Sequence, residues 1–476
     1  MTRASTITGP VLFLDHAAEG RLALAALFVA PPGVAIPPIE AGGRSHEAVQ
    51  INDYGERLAW RIRFQVPADA PSSYRWDGED YALAGDMGGD LRIAYVSCNG
   101  EEIGDLDREG SERNAMWARL GASHREAPFA LLLHGGDQVY ADEATKGHRL
   151  GDGWPTKVPE PESDAELEDF RRHLRDCFSA RYDALYAAPE FAWLAARVPS
   201  LMQWDDHDIC DGWGSLHING TGSPVAKVLF EAAREAFLTF QHAASDGDLP
   251  ARIRPSDGPA LNWSVDLPGL RLLAPDLRAE RTPHHVMQDE GWGFMEDAAA
   301  APAPARTLIL SSVPLLGPRL SLLERMMGLI PKIQKYEDDL RDQWQSRAHR
   351  AQWRRMLGLV RDILSKEGAE VTAVSGEIHL ATRAHMSFGV ERELHQLVAS
   401  GIAHRPPPNL WARTLGALAT LGEDPLPDSP ITIERIPGQK TRYVAQRNFL
   451  TLAREDGAWS ARWCFEESGM SPPLQI

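Results

Sequence analysis

The chain has 476 residues, too many for one ordinary hydrophobic core, which implies a large domain and at least one smaller one. With 43% hydrophobic and 24% charged residues its composition is globular, and no apolar run approaches the ~20 residues of a membrane span. The formal net charge of -18 argues against a broad nucleic-acid footprint, which needs a basic surface; an anionic substrate stays compatible where bound cations invert the local field.

The first six residues, Met1-Thr2-Arg3-Ala4-Ser5-Thr6, show neither a charged segment leading into an apolar one nor a twin-arginine pair, so a cytoplasmic location is the expectation unless a leader has been removed. Residues 11–14, 22–29 and 58–66 read as strands, the last alternating apolar and polar side chains. Pro and Gly punctuate the gaps, and a small all-β sandwich is expected over 1–88.

From residue 89 onward buried-type strands alternate with helical stretches, an α/β layer pattern expected to run to 476. The strands are predicted at 91–97, 129–133, 198–202, 270–273, 307–311, 371–374 and 394–399. Most lead into residues able to do chemistry: Cys98-Asn99, Asp137, the run Asp205-Asp206-His207-Asp208, Asp276 and Arg278, then Glu377 and His379. Ligands gather outside the carboxyl ends of strands in such sheets, so one shared site is expected.

Helices are predicted at 164–197, 226–240 and 340–364, with their Trp and Phe stripes in the core. Residues 142–161, around Trp154, and 211–223, around Trp213, are Gly- and Pro-bearing segments that read as lids or as surface insertions. Residues 298–305 read as an Ala/Pro connector. The tail returns to strand patterns at 443–445, 448–453 and 459–465. Cys98, Cys177, Cys210 and Cys464 form no C-x-x-C pair, so neither a zinc finger nor a disulfide scaffold is expected.

The candidate ligands suit a two-metal site. Asp137, Asp205, Asp206 and Glu377 offer carboxylates, His207 and His379 imidazoles, and Cys98 and Tyr140 softer charged groups for a ferric ion. His134 reads as a structural hydrogen-bonder, Asp208, Asp142 and Asp211 as turn caps, and His404 as either a site or a surface residue. Arg278 is expected to place a guanidinium fork near a phosphate, whereas Arg281 reads as an ion-pairing residue.

Ser97-Cys98-Asn99, Gly136-Asp137-Gln138-Val139-Tyr140, Trp204-Asp205-Asp206-His207-Asp208 and Ser375-Gly376-Glu377-Ile378-His379 together resemble the PhoD-like (alkaline phosphatase D) branch of the calcineurin-like metallophosphoesterases. Asp276-Leu277-Arg278-Ala279-Glu280-Arg281 is similar to that branch's arginine motif. The resemblance implies a four-layer αββα core holding Fe(III) and Ca(II), with Mn, Zn or Mg as other divalent ions. It places Cys98, Asp137 and Tyr140 on iron, with Asp137 bridging to calcium. It puts Asp205 and Asp206 on the second metal, and Glu377 and His379 in the closing motif. His207 falls where the family has a substrate-contacting residue or leaving-group acid. Two departures stand out: Glu377 where the family has Asp, and Cys98-Asn99 where it has a CQ pair.

The expected activity is that of a metal-dependent phosphoric-ester hydrolase on a small phosphate ester, with hydroxide attacking phosphorus in line and His207 or His379 protonating the leaving group. A phosphodiesterase of the same fold, and a member that binds metal or a phosphorylated ligand without turnover, are the alternatives.

Overall fold

The structure, a computed structural model, describes residues 7–216, 218–254, 258–318, 342–389 and 392–476. The first large sheet takes β1 (Thr8–Ala18), β2 (Arg21–Ala30), β3 (Val49–Asp53) and β4 (Leu58–Pro67), then β5 (Leu91–Val96), β6 (Leu131–Gly135) and β7 (Ser200–Gln203). The second takes β8 (Trp263–Leu267), β9 (Leu270–Ala274), β10 (Arg306–Leu310), β11 (Glu370–Ser375), β12 (Thr382–Ser387), β13 (Glu393–Val398), β14 (Glu423–Leu426) and β15 (Ser429–Glu434). The chain then returns to the first sheet with β16 (Asn448–Glu455), β17 (Ala458–Phe465), β18 (Gly469–Met470) and β19 (Leu474–Gln475).

Strand order is β18-β17-β16-β5-β6-β7-β1-β2-β4-β3 in the first sheet, with β19 beside β17, and β8-β9-β10-β11-β13-β12-β15-β14 in the second. Each sheet has a parallel centre, β5-β6-β7 in one and β9-β10-β11-β13 in the other. Parallel strands need cover on both faces, which is why these segments are almost continuously apolar and buried.

The two sheets face each other. Trp463 Nε1 donates to Val398 O at 2.9 Å, and Trp263 Nε1 to Met202 O at 2.9 Å, each tying one sheet to the other. Helices α1 (Ala115–Glu126), α2 (Asp164–Tyr186), α3 (Pro189–Ala195) and α4 (Pro224–Ala236) share a core with the first sheet. Helices α5 (Asp289–Ala300), α6 (Arg350–Leu364) and α7 (Asn409–Leu418) share one with the second. The result is the expected αββα layering, with a strand-rich N-terminal region.

Hydrogen bonds cross the boundary placed at residue 88. Phe13 of β1 pairs in parallel with Ser200 of β7, so the N-terminal strands continue the sheet that carries the candidate site. Ile39–Ala41, Arg44–His46, Ser72–Trp76 and Glu79–Leu83 form a separate four-stranded sheet packed onto them.

The helical stretches differ from the sequence reading in their ends. The predicted 164–197 helix is two, because Pro189 restarts the helix at its first position, where its missing N–H costs nothing. The predicted 226–240 helix starts earlier, at Pro224 behind the Ser223 cap, and changes at Phe237–Gln241 to a π-helical turn. In the third, residues 340 and 341 lie outside the described residues and the helix begins at Arg350; Trp344 is buried in irregular chain. Residues 298–300 of the expected connector are the end of α5. Of the tail, 448–453 and 459–465 form β16 and β17, whereas Val444 makes only an isolated bridge to Ala381. Among the described residues no helix is long and apolar enough to cross a membrane; Met1 to Thr6 lie outside them.

Candidate metal centre

Both parallel centres end at the same place. Cys98 lies two residues past β5, Asp137 two past β6, Asp205 two past β7 and Glu377 two past β11. Cys98, Asp137, Glu377 and His379 have φ of 56°, 54°, 69° and 51°, a left-handed backbone that non-glycine residues seldom adopt. Backbone held there against its preference turns each side chain off the strand line and into the space between the sheets. The motif glycines are needed for close approach. A Cβ on Gly136 would lie 2.6 Å from Asp205 Cβ, and one on Gly376 2.1 Å from Ser97 Oγ. Within the first sheet Asn99 N donates to Asp137 O at 2.8 Å, and between the sheets Ser97 Oγ donates to Ala399 O at 3.0 Å.

Two ligand sets overlap at Asp137. Ligand atoms of Cys98, Asp137 and His379 lie within 4.8 Å of one another, as do those of Asp137, Asp205 and Asp206. Cys98 Sγ is 3.4 Å and Tyr140 Oη 3.5 Å from Asp137 Oδ2, and Tyr140 Oη is 3.0 Å from His379 Nε2. Asp137 Oδ1 and Asp205 Oδ2 are buried and have no hydrogen-bond partner among the described residues. A carboxylate oxygen left so costs a few kcal/mol or more unless a cation meets it. Burial, and then the neighbouring carboxylates of Asp205, Asp206 and Asp208 against the lowering effect of His207, hold Asp137 well above the ordinary Asp range. Burial and then Asp137 likewise push the Cys98 thiol up. A cation bound between them supplies the charge that lets these groups ionise, since ligands must be deprotonated to bind. The donors fit the expected groups: thiol, phenol, carboxylate and imidazole on one side suit a ferric ion, and carboxylates on the other a hard divalent ion.

Arg278 is fully buried against this carboxylate set. Its Nε donates to Asp205 Oδ1, its Nη1 pairs with Asp342 and its Nη2 lies 3.4 Å from Asp206 Oδ1, so the guanidinium faces carboxylates. Ser312 Oγ gives Asp205 Oδ1 a second bond at 2.8 Å. Burial, opposed by Arg278, raises Asp205 to about 6. Asp342 also pairs with Arg281 at 3.1 Å, and the two arginines outweigh its burial and lower it to about 2. No local pattern marks Asp342 in the sequence, where it follows Glu337, Asp338 and Asp339. Glu377 is not drawn into either ligand set. Its carboxylate accepts from Gln343 Nε2 at 2.7 and 2.5 Å.

His207 packs its ring on Tyr140, with centroids 4.3 Å apart, and its Nδ1 lies 3.0 Å from Asp142 Oδ2. Burial pulls its pKa down, but Asp142 and then Asp206 outweigh that and hold it well above the usual histidine value. Asp142 thus orients His207 and also accepts from Asp211 N at 2.7 Å, a bond between distant loops and not the local turn cap expected of it. His379 stacks on His404 at 3.4 Å, and burial followed by the charges of His404 and His207 lowers its pKa well below 6.5. His404 therefore faces the site, with Nε2 3.5 Å from Glu102. Glu102 was missed because it sits past the motif on an acidic, otherwise unmarked loop.

Asp276, a strand-end candidate for chemistry, is structural, and Asp208 and His134 are structural as expected. Asp276 accepts from Trp204 Nε1 and from the amides of Leu261, Arg278 and Ala279. Asp208 accepts from the amides of Asp137, Val139 and Asp205 and from Gln241, locking the two motif loops together. His134 lies between Gln138 and Ser200, and burial lowers its pKa to about 4. The two Trp-bearing segments meet: Trp154 and Trp213 have ring centroids 6.4 Å apart, and Trp213 O accepts from Arg278 Nη1. Residue 217 of the second segment lies outside the described residues.

The family model described as PhoD-like phosphatase matches residues 93–264. Residues 93–264 therefore resemble PhoD-like phosphatases in sequence. The match includes Cys98, Asp137, Tyr140 and the Asp205 cluster; Arg278, Glu377 and His379 lie beyond it, and of these Arg278 and His379 meet residues inside the match whereas Glu377 meets Gln343. Over 408 residues the chain is 24% identical to the uncharacterized protein YGR266W of Saccharomyces cerevisiae, a region that covers 68% of this chain and 58% of that one. The chain thus spans less than two thirds of the curated relative it matches. The solved structure of PhoD matches with a TM-score of 0.58 at 12% identity, over 100% of this chain and 90% of that one. Purple acid phosphatase PPD1 from yellow lupin (Lupinus luteus) seeds matches with a TM-score of 0.56 at 11% identity, over 99% and 74%. At such identities the likeness is one of fold alone.

Proposed function

We propose that the protein is a metal-dependent phosphoric-ester hydrolase acting on a small phosphate ester. The observation that carries this reading is the pair of overlapping ligand sets at Asp137, each with a buried carboxylate oxygen lacking a partner. In this reading Cys98, Tyr140, Asp137 and His379 hold an Fe(III) ion, and Asp137, Asp205 and Asp206 a second, divalent ion such as Ca(II). Glu377, whose carboxylate accepts from Gln343, would reach the second ion only by releasing that amide. Bound cations supply a hydroxide nucleophile at neutral pH and a field for the phosphoryl oxygens. Arg278 holds the Asp205 and Asp206 carboxylates in place, and its placement against them is its contribution to the phosphate's surroundings. His207, kept protonated and oriented by Asp142, gives its proton to the departing alkoxide; His379, kept neutral, serves as a ligand. Residues 89–476 form the catalytic unit, and residues 1–88 extend its sheet. Elemental analysis of purified protein, followed by hydrolysis assays on matched mono- and diesters, tests the reading: a metal-free protein that gains no activity on added iron, calcium, manganese or zinc is not this enzyme.

His207→Asn separates proton donation from positioning. Substrates with poor leaving groups need the proton in the transition state, and general acid catalysis contributes roughly 10²–10⁴-fold, so alkyl phosphates lose about that much rate while nitrophenyl esters lose far less. Asp142→Asn reproduces the same pattern in weaker form, because it acts through the imidazole. Equal losses across a leaving-group series leave His207 a positioning role alone.

A phenolate or thiolate on Fe(III) transfers charge to the metal and absorbs visible light. The protein as isolated is expected to be coloured and to bleach with a reductant, and Tyr140→Phe and Cys98→Ser each shift or remove the band. A colourless, iron-free and fully active protein overturns the iron assignment and leaves the hydrolase intact.

A further inference from the structure

A cavity of about 790 Å³ lies between the long N-terminal strands and the small four-stranded sheet and shares no residue with the metal centre. Its volume lies in the range of small-molecule sites. Arg21, Arg44, Arg63, His16 and His46 line it, with Asp15 as the carboxylate among them. Asp15 is already neutralised: Arg63 Nε donates to its Oδ2 at 3.0 Å and Arg252 Nη1 to its Oδ1 at 3.3 Å. Asp248, just behind, takes Arg61 and Arg63. Three arginines therefore share two aspartates. Arg21 is held only by Gln65, and Arg44 has no carboxylate partner among the described residues. In a chain of net charge -18, this leaves a local excess of positive charge facing a cavity.

Two further features show that the arrangement is built in. Strand β1 bulges here: Leu14 pairs with Leu24 and His16 with Ala23, so Asp15 is the extra residue. Bulges re-aim side chains, and this one turns the strand's polar residues toward the cavity. Arg252 is buried, and its Nε has no hydrogen-bond partner among the described residues. Ala23, Leu249 and Ala251, by contrast, give the cavity a partly exposed apolar side.

We propose that this cavity is a second binding site, for a small organic phosphate. The anionic group meets the two histidines and the forked guanidinium donors of Arg44 and Arg21, which match phosphate oxygens, and the organic part lies on Ala23, Leu249 and Ala251. The site does not depend on the chemistry at the metal centre.

The test is calorimetric titration of the full-length protein as purified with phenylphosphonate, whose carbon–phosphorus bond resists hydrolysis. Arg44→Ala combined with His46→Ala is expected to lose one equivalent of binding, or to weaken it at least tenfold, at an unchanged melting temperature. Arg44→Glu alone gives the same loss through a different substitution. Arg75→Ala, which breaks the exposed Arg75–Asp80 pair on the same small sheet, leaves binding unchanged. An isotherm of the double variant and of Arg44→Glu that matches wild type overturns the proposal, whatever the metal centre itself binds.

Discussion

Asp137→Ala loses phosphoester hydrolysis and bound metal together, while unfolding stays cooperative. The loss is at least the roughly 10²–10³-fold that one directed electrostatic contact to a reacting group contributes. It is expected to exceed that of Cys98, His379 or Asp205, because Asp137 joins the Cys98–His379 group to the Asp205–Asp206 group. One of its oxygens is near Cys98 and Tyr140, and the other is buried without a partner. Its backbone amide is held by Asp208 at 2.8 Å, so the loop remains in place when the carboxylate is removed. Asp206→Ala is the matched variant: it empties the carboxylate set and leaves Cys98, Asp137 and His379 intact. Metal content and rate are measured on the same samples. An Asp137→Ala protein with wild-type turnover removes the metal centre from the account.

Arg278→Met is expected to be the most destabilising single change near the site. Its guanidinium is fully buried and touches Asp205, Asp206 and Asp342. Removing one partner of a buried ion pair leaves the other charge uncompensated, at a cost of about 3–5 kcal/mol. Chemical denaturation reads this as a lower midpoint at an unchanged slope. The cost falls when divalent cations saturate the protein, because they neutralise the same carboxylates. A variant of wild-type stability whose KM for phosphate esters rises instead assigns Arg278 to the substrate.

Much of this molecule was legible in its residues. The strands that carry the site are short, nearly continuous apolar runs, and such runs mark the buried parallel strands of a layered sheet. Each is followed within a few positions by a glycine-bearing or acidic motif, so Cys98, Asp137, the Asp205 cluster and the Glu377–His379 segment could be placed at strand ends before any geometry was known. Helix ends were less legible, as Pro189 and the Phe237–Gln241 turn show, since a periodic apolar stripe runs on across a change of direction.

What the residues could not express is who meets whom across the chain. The register of Phe13 against Ser200, which makes the N-terminal strands part of the site-bearing sheet, depends on packing between segments nearly two hundred positions apart. The same holds for Asp342, which sits among other acids in the sequence and becomes the partner of two buried arginines only when the fold removes all three from water. It holds for Arg278, whose fork could be read toward a phosphate but lies against carboxylates, and for Glu377, which finds Gln343. Strand ends are a local property of hydrophobic pattern. Charge pairing in a buried space is a property of which distant groups share that space, and it is settled when desolvation forces each of them to find a partner.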